Sequence, residues 1–551
     1  MRIDAIFTNA RFTTLDAARP AAARLGVLNG RIAGFDEELD GVTADHVYDL
    51  GGAPVVPGFN DAHHHMSMRG QRLAEVDLGE RAVRTLDELY AAVAERAATL
   101  PEGAWVRGAG YDQNKLGGGH PTREALDRAA GGRPVWLAHT SAHMGVVNTA
   151  AFRAMGFADP ASVPDVDGGT VGRGADGLPD GLLAEQAQGL VFDVLRPAAY
   201  EDYVAGIGRA SAVAASEGLT SFTEPGVGLG RVAGNGAADV AAFQDAVARG
   251  LLRQRATLMP VSGALHAGGK YAPGADWFGL DLGVRTGIGD EWLRLGPVKV
   301  FSDGSLIGRT AAMCCDYVGE AGNTGFFQEP EPELRELIVR AHLHGWQVAT
   351  HAIGDRAVGF VLDAYAEAQR RLPRTDVRHR IEHCGVASGE QVARIAGLGV
   401  VPVPQGRFVG EIGDGMLAAL GAERARGAYR QRSFLDAGIT VPGSSDCPVV
   451  DGAPLLGIHD MVNQRTDSGA PFNPAEAVTA EQALRAFTHG SAYAAHEEAR
   501  KGTLSRGKLA DFVVLSDDLQ AVRAESIREI QVGATVVAGS LVYDAANLAA
   551  V

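Results

Sequence analysis

Between residues 219 and 441, short apolar segments of strand character recur with helical patterns between them. That alternation limits the fold more than any other feature of the chain. Strands are expected at residues 219–223, 255–259, 295–301, 347–350, 377–381, 400–403 and 439–441, and helices at 237–248, 331–344, 357–370 and 389–396. Strand–helix alternation argues for a parallel sheet. With an earlier apolar run at 54–59 as the first strand, the series predicts an eight-stranded (β/α)₈ TIM barrel. About 150 residues separate the first strand from Leu219, far more than a barrel unit needs. Residues 67–210 are therefore expected to form an inserted α+β subdomain, with strands at 104–107 and 134–137.

The two ends of the chain share a different texture. Residues 6–12 alternate, and Asn29-Gly30 between the apolar runs 25–28 and 32–35 signals a two-residue hairpin. Residues 511–515 read as a strand, and 531–538, Gly539-Ser540 and 541–543 as a second hairpin. The expected layout is a small β-sandwich from 1–52 and 500–551, a barrel over 53–450 that carries the insertion, and the end of the barrel at 451–499.

A chain of 551 residues exceeds one hydrophobic core, and a charged fraction of 21% fits a soluble globular protein. The net charge of −17, with acids and bases mixed along the chain, argues against nucleic acid or anionic membrane as a partner. Cys314, Cys315, Cys384 and Cys447 form neither a disulfide framework nor a thiolate zinc pattern. The first residues lack the apolar core of a signal peptide, and no apolar run reaches the length of a membrane span. A cytoplasmic location is expected.

Polar residues gather at the C-terminal ends of the proposed strands, the face where barrel enzymes place their active sites. On an extended segment His63 and His65 share a face and His64 takes the other, a spacing that suits two ligands to one metal ion. Further on come Lys299, Asp303, His351, Glu382-His383 and Asp446. Singly these have plain explanations: a histidine-rich turn, a lysine reaching for solvent, satisfied core histidines, helix caps at Asp355 and Asp446. Together, burying so many polar groups at one barrel mouth is costly unless a metal site uses them.

The same residues carry a resemblance. Asp61-Ala62-His63-His64-His65, the stretch from Lys299 to Ser305, His351 to Ala357, Glu382-His383, Ser444-Ser445-Asp446 and the tail Gly502 to Asp511 resemble the amidohydrolase superfamily. The likeness is strongest to the branch termed amidohydrolase family 3, which includes N-substituted formamide deformylases. The resemblance implies a TIM-barrel metallohydrolase in which His63, His65 and Asp446 hold one metal and His351 and His383 a second. Lys299, carboxylated by CO₂, would bridge them, and a single-metal site is also compatible. Zinc is the expected ion, with manganese or iron tolerated. His64 departs from the small or apolar residue usual there and is expected to pack behind the strand.

The reaction implied is hydrolysis of a carbon–nitrogen bond of amide or N-formyl type in a small-molecule substrate, with Asp446 as proton shuttle. His143, in Ala142-His143-Met144, is expected to line the pocket and bind the substrate carbonyl. Tyr111 and Asp112 are further candidates for the cavity, and Asp303 and Arg309 for contacts to Lys299 or substrate. Two alternatives stand beside this reading: hydrolysis of a lactone or other ester on the same site, and a scaffold without catalysis. A homodimer is the default assembly.

Overall fold

The computed structural model describes residues 1–228, 233–267 and 277–548. Its centre is built from two four-stranded parallel sheets. The first contains β1 (Phe59–Asp61), β2 (Leu219–Val227), β3 (Arg255–Pro260) and β4 (Leu293–Leu295), in that order. The second contains β5 (Val298–Phe301), β6 (Val348–Ala352), β7 (Arg380–His383) and β8 (Val401–Val403). β4 and β5 are two halves of one stave, interrupted at Gly296-Pro297, and a parallel bridge from Val261 to Lys299 joins the sheets. Residues 443–447 close the ring beside β1: Ala62 N–H donates to the Gly443 carbonyl at 2.9 Å and Asp446 N–H to that of His63 at 2.7 Å. These last residues form no regular strand, unlike the expectation at 439–441.

The expected first strand, 54–59, is in fact two. Pro54–Pro57 pairs antiparallel with Phe512–Leu515 and parallel with Arg11–Thr13, in a sheet shared by both termini. Only β1 enters the barrel. The crossing occurs at Gly58, where a Cβ would lie 2.2 Å from the Thr220 hydroxyl oxygen, so no other residue passes there without displacing β2. Continuous apolar character hid this division, because both halves are buried.

The terminal strands make two sheets. One has the order Arg31–Phe35, Leu25–Leu28, Arg2–Thr8, Thr43–Asp49; the other runs Ser540–Asp544, Val532–Val537, Phe512–Leu515, Pro54–Pro57, Arg11–Thr13, Ala21–Ala22. They share a core in which Phe512 meets the rings of Phe7 and Phe12 edge-on, at 4.8 and 6.0 Å. Asn29 and Gly30 both adopt positive φ, as a primed turn requires. The second hairpin turns at Ala538-Gly539, one residue earlier than the sequence suggests.

Between β1 and β2 the chain forms a six-stranded sheet in the order Gly169–Arg173, Pro179–Glu185, Met144–Val147, Val135–His139, Val106–Tyr111, Val76–Asp77. The expected strands near 104–107 and 134–137 are its parallel pair. The helices expected between barrel strands form as Asp239–Ala248, Glu331–Leu343, Asp355–Arg371 and Gly389–Leu398. No helix among the described residues is long and apolar enough to cross a membrane.

Candidate metal centre

His63 and His65 lie just beyond β1, on an extended segment stitched to both neighbours. His64 N–H donates to the Thr223 carbonyl on one side, while His65 N–H donates to that of Cys447 on the other. The alternation expected of a strand thus persists past its last regular residue. His63 and His65 each place Nε2 at 3.2 Å from Asp446 Oδ1, and one ligand atom from each of the three lies within 4.8 Å of the others. His64 is fully buried on the opposite side, near Phe222 and Asp61. Asp61 binds the two ligand loops together: its carboxylate accepts the His63 and Ser445 N–H groups at 2.9 and 3.1 Å and the Ser445 hydroxyl at 2.5 Å.

Around this trio the rings follow one another. His383 is 4.9 Å from His63 and 4.5 Å from His351, and His351 is 5.1 Å from His143, centroid to centroid. Lys299, His351, His383 and His143 line the same cavity as His63, His65 and Asp446. It continues into a second hollow walled by Leu306, Ile307, Phe408, Ile412 and Met416. His383, Cys384 and Asp446 adopt positive φ, a conformation uncommon for non-glycine residues.

Second contacts fix which nitrogen of each ring faces inward. Glu382 binds His63 at Nδ1, so Nε2 carries the lone pair. Burial works against the Glu382 charge, but Arg380, which donates to both its oxygens at 2.7 and 2.9 Å, and His63 hold it below the usual carboxylate range. His383 uses Nδ1 for the Gln405 side-chain carbonyl at 2.9 Å. His351 uses Nε2 for the Gly304 carbonyl at 3.0 Å, which leaves Nδ1 as the acceptor atom. Burial pushes the His65 imidazole down to about 4 and the Lys299 ammonium down to about 8, the latter against the pull of Glu382 and Asp446. Asp446 stays well below the usual range despite burial, because His63 and His65 face it.

The donor set suits a divalent cation. His63 Nε2 is buried without a hydrogen-bond partner, which is costly for an imidazole lone pair unless something positive sits before it. Neutral imidazoles and a carboxylate converging from separate loops are the ligands such ions take.

The family profile of amidohydrolases matches residues 46–543. The chain belongs to the amidohydrolase family. It is 33% identical over 555 residues to the N-substituted formamide deformylase of Arthrobacter pascens, with 98% of each chain covered. It is 31% identical over 548 residues to the protein LONG AFTER FAR-RED 3 of Arabidopsis thaliana, covering 98% of this chain and 91% of the other. The crystal structure of an uncharacterized metal-dependent hydrolase from Pyrococcus furiosus superposes with a TM-score of 0.70 at 27% identity, over 94% of this chain and 99% of that one. The amidohydrolase fold here is TIM-barrel-like, the enzyme is a hydrolase of carbon–nitrogen bonds other than peptide bonds, and its site is built for a metal cofactor.

Of the other residues that the sequence singled out, Tyr111, Asp112 and Arg309 lie apart, and Asp303 supports His351 from behind. Tyr111 is in the core of the six-stranded sheet's layer, its hydroxyl 3.1 Å from His120 Nδ1. Asp112 lines a separate polar cleft with Arg72 and Lys115. Asp303 is fully buried and gathers the N–H groups of Ala312, Ile353 and Gly354 at 3.0, 3.1 and 2.8 Å, while standing 3.3 Å from His351 Nε2. It shapes the loop after β5 and the end of β6. Arg309 pairs with Glu320 toward the surface. Asp355 is the first residue of its helix rather than the cap, and its carboxylate accepts the Cys314 N–H at 2.8 Å.

Glu185 carries no sequence signal and proves central to His143. It is fully buried at φ 52°, ψ −125°, and its Oε2 is 2.8 Å from His143 Nδ1. Thr310 and Gln328 donate to the same carboxylate at 2.6 and 3.1 Å. Burial opposes a charge on His143, but Glu185 raises its pKa above the ordinary histidine value. Glu185 thus favours the charged form of His143 on the wall of the cavity.

Proposed function

We propose that this amidohydrolase cleaves the amide or N-formyl bond of a small neutral molecule whose nitrogen or acyl group carries an apolar substituent. The observation that carries the reading is the convergence of His63, His65 and Asp446 at one end of a cavity whose other end is apolar. The likeness to the Arthrobacter N-substituted formamide deformylase supports it. In this reading the ion is zinc, one or two per chain, with His63, His65 and Asp446 at the first position and His351 and His383 at the second. Lys299, once carboxylated, would be a further ligand, able to hold both ions where two are bound; a lysine pushed down to about 8 is partly neutral at physiological pH, the form that adds CO₂. The terminal sheets form one β-sandwich, and residues 67–210 an inserted subdomain that covers the cavity with Ser141 and His143. Four free cysteines support a cytoplasmic location.

A bound divalent ion supplies an acidified water and charge stabilisation at a carbonyl oxygen. The chain's own groups do the rest. Asp446 takes the proton of the attacking water and delivers it to the leaving nitrogen. His143, whose charged form Glu185 favours, donates to the carbonyl oxygen as negative charge grows there. Leu306, Ile307, Phe408, Ile412 and Met416 receive the apolar substituent and exclude water.

The test is a panel of N-formyl and N-acyl amines with benzyl or alkyl substituents, run beside lactones and esters. Release of the amine and carboxylate from the apolar amides is expected. Hydrolysis of lactones or esters alone would overturn the reading.

A further inference from the structure

Among the buried tyrosines, most hydroxyls have a partner: Tyr317 donates to the Ala311 carbonyl and Tyr365 to the Arg380 carbonyl, both at 2.8 Å. That is the rule for a phenol removed from water. Tyr429 departs from it. It is 1% exposed overall, and no group among the described residues bonds its hydroxyl, which is open to the cavity rather than sealed in the core. Tyr203, whose hydroxyl also lacks a partner, belongs to the barrel's outer core and lines neither hollow. Tyr429 lines the cavity itself, together with His143, His383 and Asp446.

The placement of Tyr429 is over-determined. Its N–H donates to the Gly385 carbonyl at 2.8 Å, and its own carbonyl accepts the Gln431 N–H at 2.9 Å. Ala428 pairs with Val386 in an isolated antiparallel bridge. These bonds tie Tyr429 to the segment that directly follows His383. Its backbone is held at φ 47°, a conformation that costs a tyrosine free energy and persists only where surrounding contacts enforce it. The ring packs edge-on against Phe408 at 5.7 Å, and Phe408 stacks on His383 at 6.2 Å. One rigid unit thus joins a metal-ligand candidate to a cavity-facing phenol. Burial, and the nearby Asp446 carboxylate, raise the phenol's pKa well above its ordinary value, so it stays a neutral donor at working pH.

We propose that Tyr429 is a catalytic residue, its hydroxyl donating a hydrogen bond to the oxygen of the scissile carbonyl alongside His143. An oxyanion has three lone pairs; the ion and His143 would take two, and one is left for a further donor. No proton is transferred: the phenol keeps its hydrogen, and the bond strengthens as the carbonyl oxygen becomes an oxyanion. The proposal rests on the amide reading above. It goes beyond that reading by naming a residue from the connection between helices Gly413–Ala425 and Gln431–Asp436, outside the metal-ligand positions and the inserted layer.

The experiment compares wild type with Tyr429→Phe on the best amide of the panel, and also measures metal content and thermal unfolding. The substitution keeps the ring, its contact with Phe408 and the backbone bonds. A fall in kcat of about 100-fold, with KM changed by less than about threefold, is expected. Unchanged metal content and melting temperature accompany it. A second readout is inhibition by a benzylphosphinate, which mimics a tetrahedral oxyanion, against inhibition by benzylamine, which lacks the oxygen. Tyr429→Phe weakens the first and spares the second. An active wild type with an equally active Tyr429→Phe overturns the proposal alone, as does equal loss of both inhibitors. A wild type that turns over no amide overturns the amide reading and the proposal with it.

Discussion

Glu382 holds His63 by its Nδ1, and His63 thereby presents Nε2 to Asp446 at 3.2 Å. The carboxylate is itself fixed by Arg380, which also donates to the Ala62 carbonyl at 2.7 Å, one residue before the ligand. Ring orientation and backbone position of a single ligand are thus set by one buried pair.

Glu382→Gln is expected to loosen this orientation without removing a ligand. Partners of this kind change metal affinity by about 10- to 100-fold. Competition with a chromogenic chelator should show weaker metal binding of that order, and unchanged affinity would mean that His63 does not act as a ligand.

Asp446→Asn keeps the size of the side chain and removes the proposed base. Turnover is expected to fall by about 10²- to 10⁴-fold while a substantial share of the metal is retained. Single-turnover kinetics beside elemental analysis separates the two effects, and near-normal turnover would refute the proton-shuttle role.

Far from the site, Arg255 on β3 forms a two-bond pair with Asp511, which precedes the terminal strand Phe512–Leu515; the distances are 2.7 and 3.0 Å and both residues are buried. Asp511→Ala leaves the guanidinium without its counter-charge. Breaking such a pair costs about 3–5 kcal/mol. Urea unfolding should show a loss of that size, with kcat intact in the remaining folded protein.

His342 and His379 predict a pH effect on stability. His342 donates Nε2–H to the Leu372 carbonyl and accepts at Nδ1 from His379 Nε2, both at 2.8 Å, while His379 Nδ1 accepts the Val348 N–H at 3.0 Å. Neither ring has room for a second proton, and burial, with Arg374 nearby, holds both below the ordinary value. The unfolded chain takes up these protons near pH ~6.5, before the folded one does. Their contribution is therefore complete above that pH and declines as pH falls through it toward the lower folded values. Urea midpoints at pH 7.5 and 5.5 should differ more for wild type than for His379→Gln, which offers a donor and an acceptor but no titration.

Much of the site is legible in the sequence because polar residues interrupt apolar strands where nothing else would put them. His63, His65, Lys299, His351, His383 and Asp446 line one cavity in the fold. Glu185 and Gln405 are not legible. Each acts through a contact across a large separation, 42 residues to His143 and 22 to His383, and neither stands out from its polar neighbours. Tyr429 is recognised only by what its hydroxyl lacks, which requires coordinates. The division at Gly58 escapes for a related reason: two short strands buried in different sheets read as one apolar run.

His63, His65 and Asp446 are expected to hold metal. Elemental analysis of wild type purified without chelator, beside the double variant His63→Ala/His65→Ala, tests it most directly. About one or two divalent ions per wild-type chain are expected, and in the variant loss of the ion held with Asp446. A wild type that is active without metal, or a variant that binds as much as wild type, would contradict it.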